Sequence, residues 1–196
     1  MRRPAGSMAL ISAVTALTAL GTGTATAAAG RPATERAEKP EKAVTGVVKG
    51  WGRIDYADPD DDVRFTVDAT VTYPPGTIDP FAGEVRGTAR VYHHFANAPT
   101  PITVWADISV DCVMIGGRSA TVTGIVTAAS AHNANWTGQR VGFSVVDNGA
   151  GRFDRIGWSG LRMDGDPELR RCTAPAPFFT VKEGGYTVKD VSLFPR

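Results

Sequence analysis

Val63-Arg64-Phe65-Thr66-Val67-Asp68-Ala69-Thr70-Val71-Thr72 decides the fold class of this chain. All five odd positions are apolar and all five even positions are polar, the period-two pattern of a strand that buries one face. A helix would scatter those apolar residues around its circumference, so helix is excluded here. Downstream, Val85, Ala89, Val91 and Phe95 share one face of a second such stretch, against Arg86, Thr88 and Arg90. A third places Val104, Ala106, Ile108, Val110 and Cys112 opposite Asp107, Ser109 and Asp111.

Turn signals join these stretches to others. Gly116-Gly117 accommodates the positive φ angles of a tight hairpin and predicts that the strand before it pairs with Ser119 to Ala128. Arg140 to Asp147 runs into Asn148-Gly149, a second hairpin signal, and a strand over Asp154 to Ser159 should pair back. With an opening strand near Val44 to Ile54 and a closing one near Tyr186 to Leu193, the count is about eight. No helical stripe longer than a turn or two follows residue 29, so the domain is predicted to be all-β. Eight strands with several short connections suit an antiparallel up-and-down barrel, which has no exposed edges; a two-sheet β-sandwich is the alternative. The spacing of Cys112 and Cys172 is one that immunoglobulin domains also use. The other marks of that sandwich are missing: no Trp follows soon after Cys112, and Arg170 stands where a Tyr is expected.

Upstream of the strands the composition changes twice. Residues 1–29 combine Arg2-Arg3, an apolar run from Met8 to Leu20 and a small-residue end at Ala25 to Ala29, the three parts of a secretory signal peptide. No stop-transfer pattern follows, so no membrane insertion is expected after cleavage. Residues 30–42 alternate charge with Ala and Pro and carry no large apolar side chain, as in a flexible charged linker. The all-β domain then occupies 43–196. The whole chain has 21 basic and 20 acidic residues. Without the signal it carries 19 and 20, and so near-neutral a surface offers no footprint for nucleic acid.

In an exported chain the pair Cys112 and Cys172 reads as one disulfide, since the close spacing of a redox dithiol is absent. Other residue types offer candidate chemistry. Asp55, Asp58, Asp60, Asp61 and Asp62 crowd the first connection; Asp58, Asp60 and Asp62 are candidate calcium ligands, although an acidic solvated turn explains the same residues. His93 and His94 are adjacent on a strand and face opposite ways, which argues against a shared metal. His93, in phase with Val91 and Phe95, is a candidate base in a barrel interior, with Asp107 or Asp111 as its acid. No nucleophile elbow, phosphate loop or dinucleotide fingerprint is present, and no cofactor is implied. Trp51, Trp105, Trp136 and Trp158 are core residues or stacking surfaces for apolar ligands or sugars.

Val141-Gly142-Phe143-Ser144-Val145-Val146-Asp147-Asn148-Gly149, followed by Asp154-Arg155-Ile156-Gly157-Trp158, resembles a group of uncharacterised exported proteins of actinobacterial type, some labelled repetin. Val110-Asp111-Cys112-Val113 leading through Gly-Gly into Ala120 to Gly124, the run at 61–69, and Cys172 with Ala176-Pro177-Phe178 are similar too. The resemblance spans about residues 45–190 and implies export, with no activity, cofactor or catalytic residue to carry over.

These readings converge on a secreted, disulfide-stabilised β-domain that binds or scaffolds outside the cell without catalysis, its partner a cell-wall component or a small apolar ligand. The competing expectation is a small-molecule carrier or enzyme that uses a barrel cavity.

Overall fold

The computed structural model describes residues 42–160, 168–191 and 193. The expected signal peptide and all but the last residue of the expected linker lie outside the described residues. Eight strands follow in order: β1 (Val44–Ile54), β2 (Asp62–Tyr73), β3 (Glu84–Phe95), β4 (Ile102–Gly116), β5 (Ser119–Ala129), β6 (Arg140–Val146), β7 (Arg155–Trp158) and β8 (Phe179–Lys189). Each pairs antiparallel with the next, and β8 pairs with β1, so the sheet closes on itself as a barrel. The closure satisfies backbone groups that an open sheet would leave at its edges.

The alternation that identified β2 sets its orientation in the ring. Val63, Phe65, Val67, Ala69, Val71 and Tyr73 are all buried, together with Val48, Ala89, Val91, Ile108, Val122, Phe143 and Ile156 from the other strands. Phe65 meets Phe143 edge-on, with ring centroids 6.1 Å apart. Tyr186 reaches across this interior to donate a 3.0 Å hydrogen bond to the Phe65 carbonyl. Burial raises the pKa of its phenol well above the ordinary value, which keeps the proton on the oxygen that donates.

Two features differ from the sequence expectation. The closing strand begins at Phe179, seven residues before the expected Tyr186, and ends at Lys189. Gly184-Gly185 looks like a turn but lies within the strand. Gly184 has φ +83°, and a Cβ there would come within 2.3 Å of the Trp51 carbonyl, so glycine is what lets β8 pass β1 at this point. The second difference is a short 3-10 segment, Ala131–Trp136, between β5 and β6. A period-two reading has no means of finding so brief a helical piece.

Cys112 and Cys172 form the expected disulfide, with Cα atoms 5.4 Å apart. It ties residues 172–177 against the outside of β6 and β7. Ser144 donates to the Pro175 carbonyl, and a Cβ at Gly157 would lie 2.1 Å from the Ala176 carbonyl. This strap runs alongside the shortest strand, β7, whose pairing with β8 comprises only Arg155↔Thr180 and Ile156↔Phe179.

Candidate functional site

The barrel core does not fill both ends of the ring equally. At the end where β1 and β3 finish and β2, β4 and β8 begin, the interior opens into a cavity of about 400 Å³. Its wall is built by Ile54, Tyr56, Val63, Phe65, Val91, His93, Phe95, Ala98, Ile102, Val104, Trp158 and Phe179, and the 3-10 segment contributes His132, Asn133 and Trp136. Eight of these are aromatic or imidazole rings contributed by strands and connecting segments, and no lysine or arginine is among the lining residues. Eight-stranded barrels have an interior wide enough either to be packed by side chains or to hold one small ligand. Here the packed core and the cavity share one ring.

His93 is fixed on that wall. It pairs with Val63 on β2 and Val104 on β4, both of which line the cavity. Its ring stacks on Phe95 at 3.6 Å between centroids and meets Tyr56 edge-on at 5.0 Å. Nε2 lies 2.6 Å from Asp61 Oδ2, and Asp61 Oδ1 accepts the Ala96 amide at 3.0 Å. The hydrogen bond from His93 holds the Asp61 carboxyl below the usual carboxylate range against the opposing effect of burial, with help from the Ala96 amide. An ionised carboxylate only accepts, so the proton in this contact belongs to Nε2 of His93.

The acid beside His93 is therefore Asp61, in place of the expected Asp107 or Asp111. Asp107 lies on the outer wall, 3.1 Å from Arg90, whose guanidinium covers the Trp105 ring at 4.8 Å. Asp111 pairs with Arg140 and accepts from Thr123 Oγ1 at 2.7 Å; Thr123 in turn accepts the Cys172 amide at 3.1 Å. Both acids follow the polar phase of β4 that the sequence showed. Asp61 was visible too. It shares the phase of Val63, and the β2–β3 register places it diagonally across from His93, a relation that the acid count of the loop conceals.

Two of the three calcium candidates come together and the third stands apart. Asp58 and Asp60 both accept from the Asn97 amide, at 3.1 and 3.2 Å, while Asp62 pairs with Arg53 and Arg64 at 3.3 and 2.7 Å. Among the described residues no group of three metal-capable side chains is present. The acidic connection instead ties β1–β2 to the β3–β4 turn at the mouth of the cavity. His94 faces away from His93, with Nδ1 2.8 Å from Thr103 Oγ1.

A carboxyl held low in the folded state contributes stability at pH values above its unfolded pKa of about 3.9 and loses that contribution as pH falls toward its folded value. Asp61→Asn is therefore expected to melt below the wild type at neutral pH, with the gap closing under acid. Thermal melts from about pH 7 down to about pH 2.5 check this; a gap that stays constant throughout contradicts the assignment.

Asn133 was not found from the sequence. It is only 7% exposed, and its Nδ2 is a buried amide nitrogen with no hydrogen-bond partner. A single Asn in a stretch read as loop carries no periodic signal.

Among the described residues no helix is long and apolar enough to cross a membrane. Compared with family models, curated proteins and solved structures, the chain matches none of them.

Proposed function

We propose that this protein is an exported binding protein that carries a small apolar molecule in the open end of its barrel. The observation that carries the reading is the cavity itself: about 400 Å³, walled by aromatic and aliphatic side chains, with a few polar groups converging on it. That size and lining are typical of small-molecule sites. Aromatic faces at Tyr56, Phe95, Trp136, Trp158 and Phe179 supply stacking area with little side-chain entropy to lose. The His93–Asp61 pair gives a fixed polar point on an otherwise apolar wall. The disulfide supports an oxidising destination and hence export. Of the binding or structural roles expected from the sequence, a purely structural one is the weaker reading beside an apolar chamber of this size.

A neutral fluorescent probe, N-phenyl-1-naphthylamine, tests this. The mature protein is expected to bind it one to one with a blue-shifted emission. Ile102 is half-buried at the rim of the cavity, so Ile102→Trp should occlude the site without disturbing the core, weakening binding at least about tenfold, the consequence of losing about 1.4 kcal/mol or more of contact. Equal binding by wild type and variant, or none by either, contradicts the proposal.

A further inference from the structure

On the reading of the open end as a ligand site, we infer that its ligand is a lipophilic cation, with a quaternary-ammonium head held in a collar of aromatic rings and an apolar body in the chamber beneath. The collar follows from where the rings sit along the strands. Phe95 is the last residue of β3, Trp158 the last of β7 and Phe179 the first of β8, while Tyr56 follows β1 by two residues and Trp136 ends the 3-10 segment. All five line the cavity, at the strand ends that border its mouth. Three of them form a chain through His93: Phe95 stacks on the imidazole, the imidazole meets Tyr56, and Tyr56 lies 6.4 Å from Phe179. Further in, the next inward pair of the β2–β3 ladder is Phe65 and Val91, which is wholly apolar.

The charges at this end select the sign of the head. No lysine or arginine is among the lining residues, so an anionic head would lose its hydration with no fixed positive charge on the wall to offset the loss. The carboxylates stand on the level of the collar. Asp61 precedes β2 and is 7% exposed, and its Oδ2 lies 2.6 Å from His93 Nε2, which sets a carboxylate directly against a wall residue. Asp58 and Asp60 take a neutral partner, the amide of Asn97, in the turn between Phe95 and Ala98, both of which line the cavity. Aromatic faces attract cations, most strongly where water is excluded, and carboxylates at the mouth raise the local concentration of cations. A primary ammonium is the poorer fit, because its N–H donors would leave water for a wall with few acceptors; a quaternary head has no donor to satisfy.

The experiment is displacement of N-phenyl-1-naphthylamine by four compounds built on one benzyl group: benzyltrimethylammonium, its uncharged isostere neopentylbenzene, benzylammonium and phenylmethanesulfonate. Benzyltrimethylammonium is expected to bind about tenfold more tightly than neopentylbenzene, as for a cation–π gain in a desolvated site. Benzylammonium should bind more weakly than benzyltrimethylammonium, and the sulfonate most weakly of the four. Asp61→Asn removes the charge beside the collar, and Trp136→Leu removes one ring face while keeping the wall apolar. In each, the ratio of benzyltrimethylammonium to neopentylbenzene affinity should fall at least about threefold, a readout that a general loosening of the site does not move. Trp136→Leu alone carries this arm if Asp61→Asn does not fold.

If the probe binds and neopentylbenzene binds as tightly as benzyltrimethylammonium, or another charged analogue binds best, this inference fails while the cavity reading stands. A ratio that a folded variant leaves unchanged also overturns it. If the probe does not bind the wild type at all, the cavity reading itself fails.

Discussion

Replacement of Cys112 and Cys172 together by alanine is expected to lower the unfolding free energy by about 4 kcal/mol. The bond closes a loop with a sequence separation of 60 residues, and cross-linking a loop of that length restricts the unfolded chain by about that amount on the chain-entropy model. Domains are stable by only about 5–15 kcal/mol, so the loss is a large fraction of the total. The effect should also be local. Residues 172–177 lie over β6 and β7, and without the bond they are held by Ser144, by the Arg171 contact to the Asp111 carbonyl and by the Cys172 amide on Thr123. Chemical denaturation of the oxidised wild type and the double variant measures the difference; a loss under about 1 kcal/mol contradicts this account of the strap.

Asp154→Ala is expected to cost about 2–6 kcal/mol, from one side chain that serves two chain segments. Asp154 is 9% exposed. Its Oδ1 accepts the Asn148 amide at 2.8 Å and its Oδ2 accepts the Tyr186 amide at 2.7 Å, joining the β6–β7 turn to the middle of β8. Alanine leaves both amides without an acceptor, each at a cost of about 1–3 kcal/mol. Asp154→Asn keeps one acceptor oxygen, so its loss should be about half that of alanine. Because β7 and β8 share so short a ladder, amide exchange of β8 should accelerate in Asp154→Ala more than that of β2. Exchange that rises uniformly across the barrel, or an unfolding free energy within about 0.5 kcal/mol of wild type, contradicts this role.

Most of the barrel was legible because its strands bury one face and therefore alternate. β1 runs from Val44 to Ile54 as expected, and β2, β3, β4, β5, β6 and β7 match their expected positions to within a few residues. Gly116-Gly117 joins β4 to β5 as predicted. The exception, β8, carries two glycines at its crossing with β1, where the backbones come close, and glycine there erases the alternation that marks a strand. The site was less legible for the same physical reason. Its wall residues are ordinary inward positions, and a cavity differs from a packed core in what does not fill it, which no local pattern records. His93 could be placed on the inner face from Val91 and Phe95. Its acid lies in the loop before β2, and finding it required extending the phase of Val63 one step beyond the strand. Asn133 depends wholly on the tertiary fold: the 3-10 segment brings it to the cavity wall, and no local pattern shows that its Nδ2 ends up buried without a partner.

The central claim, that the open end of the barrel receives a small apolar molecule, is tested most directly by native mass spectrometry of the protein beside Ile102→Trp, each equilibrated with N-phenyl-1-naphthylamine. The account predicts a complex of one probe per wild-type chain that is lost or sharply reduced in the variant. Wild type that carries no probe, or a variant that carries as much as wild type, would contradict it.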